Sequence, residues 1–288
     1  MSATSDPTVL SILTPSLNLC RDLEGAIASV VNQDAQGIQH VIADGGSTDG
    51  TVEMLRQAPP SVTWLSSPDS GQSEALNRAA SLAQGTWLGW LNGDEFYLPG
   101  VLQRVLKSLD TDSADVIYCD FVETDPDGRM VRLVSQHSFS PWLLRYHGCF
   151  IPSCATFFRR SLLDEVDGWN VTYKLMMDWD LWLRFLAKGA RFTYEPIPAA
   201  AFRLRPERLT VAQAACYPGE RIRVNDSQGI RNMPALCRAG TRGVRGAMKL
   251  MNGNISRQRQ AVHLRGQTLE WFDNSPAALN TCRELNRI

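Results

Sequence analysis

Residues 38–51, IQHVIADGGSTDGT, join an apolar run to a glycine-rich turn whose first polar residue is an acid, Asp44. Ile38 to Ala43 reads as a strand. Asp44-Gly45-Gly46-Ser47-Thr48-Asp49-Gly50 reads as the turn that ends it, ahead of a helix from about Thr51 to Gln57. The same pattern extends on both sides. Val9 to Leu13 is a short apolar strand stopped at Thr14-Pro15, and Arg21 to Gln33 then sets Leu23, Ile27, Val30 and Val31 on one helical face. Val62 to Ser66 is a strand that meets Pro68-Asp69-Ser70-Gly71, with a helix over Ser73 to Gln84 behind it. Thr86 to Leu91 is a strand that meets Asn92-Gly93-Asp94-Glu95. Strand alternating with helix in this way predicts an α/β fold: a mostly parallel central sheet with helices on both faces. Ligands of such sheets bind beyond the carboxyl ends of the strands. Those ends carry Thr14, Ser16, Asn18, Asp44, Asp69, Asn92 and Asp94.

Further along, a helix is expected over Val101 to Leu109, a strand over Asp115 to Asp120, and a hairpin turn at Thr124 to Gly128 leading into Met130 to Val134. Ala155 to Phe158 reads as another strand. Leu175 to Ala187 reads as a helix with Trp179, Leu183 and Leu186 on one side. Past Arg208 the strand signal disappears and the remainder looks helical. The chain therefore divides into a domain over residues 1–210, whose halves meet near residue 100, and a helical extension over residues 211–288.

The 288 residues are 44% hydrophobic and 20% charged with a net charge of -1, which suits a globular protein and argues against one that coats nucleic acid. No window of ~18 apolar residues suggests a membrane span. The first residues lack the basic, then apolar, pattern of a signal peptide. Seven scattered cysteines without a CxxC pair fit a reducing, cytoplasmic setting better than a disulfide framework or zinc site. The mean charge conceals an asymmetry. From Gly219 to Ile288 there are twelve basic and five acidic residues, and between Ser227 and Arg265 eight basic and none acidic.

Neither GxxxxGK[ST] nor a GxGxxG after the first strand occurs, and HExxH and GxSxG are also missing, which removes several nucleotide-binding and hydrolase classes. A lone Asp at a strand end is more often a turn former or helix cap than a ligand, and Asp49 is read that way. Asp44, Asp69 and Asp94 stand apart because they close three consecutive strands at one edge. Carboxylates there can hold a hard divalent cation that bridges two phosphates, or accept hydrogen bonds from a nucleobase and a ribose.

Five segments, TPSLN (14–18), VIADGGSTDGT (41–51), SSPDSGQSEALNRA (66–79), GWLNGDEFYLPG (89–100) and MDWDLWLRFLAKGARF (177–192), together resemble family 2 glycosyltransferases of the GT-A fold, over roughly Val9 to Arg208. The resemblance implies an inverting transferase that moves a sugar from a nucleotide donor, a UDP-sugar being favoured, to a glycan or lipid-linked acceptor in cell-surface polysaccharide or glycolipid synthesis. It implies that Thr14, Pro15 and Ser16 line the nucleotide pocket and that Asp44 and Asp69 contact base and ribose. Gly71, Gln72 and Asn77 would shape the nucleotide side of the cleft. The family's DXD metal motif falls on Asn92-Gly93-Asp94, with Glu95 following, for Mn²⁺ or Mg²⁺. The catalytic base falls on Asp178, with Asp180 and Trp182 supporting it or packing beneath the acceptor. The sequence departs from the family pattern at Glu95, where Asp is common, and at Met177, where Glu is common.

The extension has two readings. Leu236, Gly240, Val244, Ala247 and Met251 form one helical stripe, and Arg238, Arg242, Arg245 and Lys249 another. Such a helix either packs on the catalytic domain with a solvated basic face, or meets anionic lipid headgroups peripherally at the inner face of a membrane or a lipid-diphosphate acceptor. Two other functions stand beside the transferase. A sugar-nucleotide nucleotidyltransferase needs a Gly- and Arg/Lys-rich triphosphate loop after the first strand, and TPSLNLCRD is poor in both. A non-catalytic nucleotide- or glycan-binding protein is the other, and the presence of both Asp94 and Asp178 argues mildly against it.

Overall fold

All seven residues of strand β1 (Leu10–Ser16) are buried. It lies in the middle of a parallel run, with β2 (Ile38–Asp44) on one side and β4 (Trp87–Trp90) on the other; β3 (Val62–Ser66) extends the run beyond β2. The computed structural model describes residues 8–109, 113–205, 214–230, 235–273 and 275–288. Among these the strands form one sheet in the order β3-β2-β1-β4-β8-β6-β9-β5, with β7 on β6. The remaining strands are β5 (Phe96–Tyr97), β6 (Val116–Thr124), β7 (Met130–Val134), β8 (Thr156–Arg159) and β9 (Phe192–Arg203). Strand β8 runs antiparallel to both β4 and β6, so the sheet is parallel over its first four strands and mixed beyond them.

Strand β1 passes through Pro15, where the sequence suggested a stop. The Leu13 carbonyl accepts from Leu91 N, so odd-numbered residues of β1 face β4. The β1–β4 pairing ends at Leu13 opposite Trp90. The missing N–H of Pro15 therefore falls where no ladder bond is made, which is where a strand tolerates proline.

Period-two alternation sorts the strands into two cores. Leu13, Val41, Ala43, Leu88 and Trp90 face helices α3 (Gln72–Leu82) and α7 (Met177–Ala187). Leu10, Ile12, Ile42 and Trp87 face α1 (Cys20–Val31) and α4 (Val101–Leu109). Short helices α2 (Thr51–Leu55), α5 (Pro141–Tyr146) and α6 (Arg160–Glu165) fill the connections. The extension supplies α8 (Tyr217–Ser227), α9 (Ala235–Met251), α10 (Asn254–Gln260) and α11 (Pro276–Leu285). Its later part seals a third core, where Leu264, Leu269, Trp271 and Leu285 meet Phe96, Leu98, Met130 and Leu133. The expected domain boundary at residues 210 and 211 lies outside the described residues, as do Pro234 and the side chains of Leu236 and Arg238 from the two stripes.

Candidate active site

The carboxyl ends of β1 to β4 open onto one edge, and the loop after β2 is built around Asp44. Its carboxylate accepts from Gly46 N (3.1 Å), Ser47 N (2.9 Å), Ser66 Oγ (2.7 Å) and the Ser47 hydroxyl. Three of these donors fall on Oδ2, and Oδ1 takes only the Ser47 hydroxyl, so Oδ1 keeps a lone pair that a nucleobase N–H could use. Beside it, the Ser16 hydroxyl is buried and has no hydrogen-bond partner. Buried polar atoms are seldom left so, and this one lies at the end of β1, paired with Asp44. Pro15 precedes it, also buried.

Asp69 is half-buried, accepts from Gly71 N at 2.9 Å, and has its carboxyl pushed up by burial. Its loop is tied down from two directions. Arg78 donates to Ser67 O (3.0 Å) and Pro68 O (2.9 Å), and Lys174 Nζ donates to Ser70 O. Gly71 has φ +133, and a Cβ there would press on Lys174 Nζ. Gly71 thus permits both the turn and the approach of Lys174.

After β4 the chain turns tightly at Asn92-Gly93-Asp94-Glu95. Glu95 N donates to Asn92 O and Asn92 N donates to Glu95 Oε2, both at 3.0 Å. Asn92 Oδ1 accepts from Gln72 Nε2 (2.5 Å) and Trp90 Nε1 (2.8 Å). Asp94, half-buried, makes no hydrogen bond or ion pair among the described residues. Of the three expected metal ligands, only Asp94 therefore has free oxygens. Glu95 is 1% exposed and holds the turn, and the Asn92 amide oxygen is committed to Gln72 and Trp90. No group of three or more His, Cys, Asp or Glu that could hold a metal occurs among the described residues. One carboxylate still fits Mg²⁺ or Mn²⁺ of the kind completed by water and substrate phosphates.

Asp178 lies in the first turn of α7, which reaches the same edge. Ser73 Oγ, in the first turn of α3, donates to Tyr173 O at 3.3 Å and lies 3.4 Å from Met177 Sδ. The residue before Asp178 thus touches the helix that follows Gly71. Asp178 Oδ1 accepts from Trp179 N (2.6 Å) and Oδ2 from Cys149 Sγ (3.5 Å). Burial raises its carboxyl to about 6, against the pull of those two hydrogen bonds. A carboxyl that titrates near 6 is mostly ionised at neutral pH and is placed to take up a proton.

Several expected residues do other work. Thr14 is fully buried and shares a hydrogen bond of 2.9 Å with His40 Nε2; burial pulls His40 down to about 3, so it is neutral. The alternation Leu10, Ile12, Thr14 already put this side chain under α1 rather than in the cleft. Asn77 is a brace, with Nδ2 on Trp169 O and Oδ1 on Trp169 N, both at 2.8 Å. Trp182 is core, packed on Phe158 and Phe185. With Trp179, Leu183 and Leu186 it completes the buried stripe of α7, so it does not reach an acceptor. Asp180 braces α7 itself. It pairs with Arg184 Nε (2.8 Å), whose Nη1 donates to Val166 O and Gly168 O. Asp49 is a turn former, accepting from Thr51 N at 3.1 Å ahead of α2, whose N-cap is Gly50.

One residue escaped the sequence reading. Glu220 of α8 is 2% exposed, and its carboxylate accepts from Lys174 N (2.8 Å), Leu175 N (2.8 Å) and Met176 N (3.0 Å). These are the three residues leading into α7, so the extension itself holds the backbone that presents Asp178. Pro218 at the start of α8 was the available signal. The contact spans more than 40 residues, and nothing local in the sequence announces it.

The family model described as Glycosyl transferase family 2 matches residues 11–167. A PGL/p-HBAD biosynthesis glycosyltransferase of Mycobacterium bovis (strain BCG / Pasteur 1173P2) is 26% identical over 240 residues, covering 81% of this chain and 87% of the relative. Residues 1–349 of S. aureus TarS, solved in complex with UDP-GlcNAc, superpose with a TM-score of 0.63 at 15% identity, over 95% of this chain and 79% of that one. Against a longer TarS chain, this chain spans 37% of the length, with a TM-score of 0.56. The mannosyltransferase PcManGT from Pyrobaculum calidifontis, in complex with GDP-Man and Mn²⁺, superposes with a TM-score of 0.60 at 16% identity, over 98% of this chain and 74% of that one.

Proposed function

The chain belongs to glycosyl transferase family 2 and has the GT-A fold, and from that membership we propose that it moves a sugar from a nucleoside diphosphate donor to an acceptor hydroxyl with inversion at the anomeric carbon. The observation that carries the reading is Asp178, a carboxyl raised to about 6 at the start of α7, on the edge shared with Asp44, Asp69 and Asp94. Its Oδ takes the acceptor hydroxyl proton as that oxygen attacks the anomeric carbon, opposite the departing diphosphate. The attack forms one C–O bond as another breaks, and the product is the inverted glycoside with the nucleoside diphosphate released.

Ser16, Asp69 and Gly71 line the donor side in this reading, and Gln72 fixes the Asn92 turn from which Asp94 projects. Asp94 would hold Mg²⁺ or Mn²⁺ against the donor's phosphate oxygens. The cation would offset charge on the leaving diphosphate. The neighbours solved with UDP-GlcNAc and with GDP-Man and Mn²⁺ support a nucleotide-sugar donor, UDP being the first to try. The mycobacterial relative supports a glycolipid or polysaccharide setting.

A second reading concerns the extension. Val244, Leu250, Met251 and Ile255 are exposed, at 45%, 60%, 79% and 41%, beside Arg242 and Arg259. Apolar side chains among cations are the composition of an interfacial helix, which supports peripheral contact with anionic lipid. No helix among the described residues is long and apolar enough to cross a membrane.

The test of the donor site is thermal unfolding with UDP, GDP, dTDP and CMP, each with Mn²⁺, with Mg²⁺ and with chelator. Ligand at ~100 times its Kd adds about 2.7 kcal/mol, which raises the midpoint by roughly 5 °C or more. A metal-dependent rise with one nucleotide supports the donor site. No rise with any of them counts against it.

A further inference from the structure

Helix α9 lies along α5, and its basic face turns towards His147. His147 Nδ1 lies 3.1 Å from Thr241 Oγ1, and Arg245 Nη1 lies 3.1 Å from His147 Nε2. Two residues on, Cys149 Sγ reaches Asp178 Oδ2 at 3.5 Å. From the other side, the Arg221 guanidinium of α8 sits 5.7 Å from the ring centre of Trp179, the residue after Asp178. His147 is pushed down by burial and then by Arg245, Arg242, Arg221 and Lys249, so four cations face one point. None of the four forms a salt bridge among the described residues, and Arg245 Nε is buried without a partner. Several arginines elsewhere among the described residues have carboxylate partners. Arg257 has Asp120, Arg184 has Asp180, Arg191 has Asp115 and Arg203 has Glu270.

We propose that the acceptor carries a phosphate group close to the hydroxyl that is glycosylated, and that Arg245, Arg242 and Arg221 bind it. This rests on the reading of Asp178 as the base. Like charges held together without a counter-ion raise the energy of the unliganded protein, and an anion relieves it. Guanidinium forks match phosphate oxygens in pairs, and the resulting bonds are charge-assisted. A phosphate offers three oxygens and up to two charges to three arginines, whereas a carboxylate offers two oxygens and one charge. The anchored phosphate would fix the acceptor so that its hydroxyl lies against Asp178, which converts binding into orientation.

The experiment is a calorimetric titration of the full chain, with UDP and Mn²⁺ present to fill the donor site, using glucose 6-phosphate, glucuronate and glucose as probes. Glucose 6-phosphate is expected to bind at least 10-fold more tightly than the other two. Arg245→Gln is expected to remove at least 10-fold of that preference. Arg242→Gln, at an exposed position where folding is not at stake, is expected to remove at least 3-fold. Equal binding of the three probes, or a preference that survives both substitutions, overturns the proposal. So does arginine-dependent binding to phosphatidylglycerol vesicles without any preference for glucose 6-phosphate, which assigns the cations to a membrane surface. If UDP with Mn²⁺ does not bind, the donor reading fails. The same titration without nucleotide then decides whether the phosphate site exists.

Discussion

A general base works best when its pKa lies near the pH at which it operates, and for the base proposed at Asp178 it is burial that brings the carboxyl there. The acid limb of kcat/KM should therefore fall away below a pH of about 6. Asp178→Asn should lower kcat by about 10²–10⁴-fold with little change in donor affinity; equal losses in both would make Asp178 a binding group. The sign of the stability effect follows from the same shift. Native Asp178 holds its proton up to about pH 6 while the unfolded chain releases it near its ordinary value, so stability drops as pH rises through that window. Asp178→Asn removes this penalty, and its melting midpoint should exceed the parent's at pH 7.5 and match it near pH 4. Thr14 is the contrasting case. Thr14→Val leaves His40 Nε2 without its partner and should cost about 1–3 kcal/mol by urea denaturation, with nucleotide affinity unchanged; a weaker nucleotide would return Thr14 to the cleft. Asp94 could be singled out as an acid that closes a strand, whereas Asp178 was singled out only through the family resemblance. What could not be read was which oxygens were already spent. The turn formed by Asn92 and Glu95 and the ring of donors around Asp44 exist only once the chain has closed on itself.

At the level of elements, the helices of the first hundred residues were legible because each buries one face by local periodicity, and the strands because short apolar runs end at turn residues. β9 was not. It contains Pro196 and Pro198, which argue against a central strand. The structure accommodates them with two register shifts, in which Cys119 pairs with Glu195, Asp120 with Pro198 and Phe121 with Ala200, leaving Pro196, Ile197 and Ala199 out of register. The freed Pro196 carbonyl accepts from Arg257 Nη1 at 2.9 Å. A proline-bearing strand thus becomes an anchor for the extension, a role visible only when both partners are in place. The junction of α8 with α7 is of the same kind. Glu220→Ala leaves three backbone donors ahead of α7 without their carboxylate and should cost about 2–3 kcal/mol, the worth of hydrogen bonds to a charged group. The functional consequence separates Glu220 from an ordinary structural residue. Loosening 174–176 should lower kcat and move the acid limb of the pH profile away from 6, with donor KM unchanged. Glu220→Gln retains an acceptor oxygen and should recover part of kcat. A variant that loses stability with the pH profile intact would show that Glu220 only holds the fold.

At the scale of the whole molecule, the question is whether the extension is an appendage or a wall of the catalytic body. Its hold on the sheet is built from buried charge and apolar surface together. Asp120 is fully buried on β6, burial pushes its carboxyl up, and it accepts from Arg257 Nη1 (2.6 Å), Tyr194 OH (2.7 Å) and Gln136 N (2.7 Å). Removing one partner of such a pair leaves the other charge uncompensated, so Arg257→Ala should cost about 3–5 kcal/mol. The apolar side is as demanding. Trp271 Nε1 donates to Tyr97 O at 2.8 Å, and Trp271, Leu264, Leu269 and Leu285 cover Phe96, Leu98, Met130 and Leu133. A chain ending at residue 205 would present those four side chains to water as one contiguous patch, the kind of surface that drives association. That truncated chain should therefore be recovered as aggregate, with no cooperative unfolding transition by calorimetry. Glu220 would also be gone, so any soluble fraction should bind UDP with Mn²⁺ and fail to transfer sugar. A monodisperse, cooperatively folding product with full transfer activity would overturn this argument and make the extension dispensable to the catalytic body.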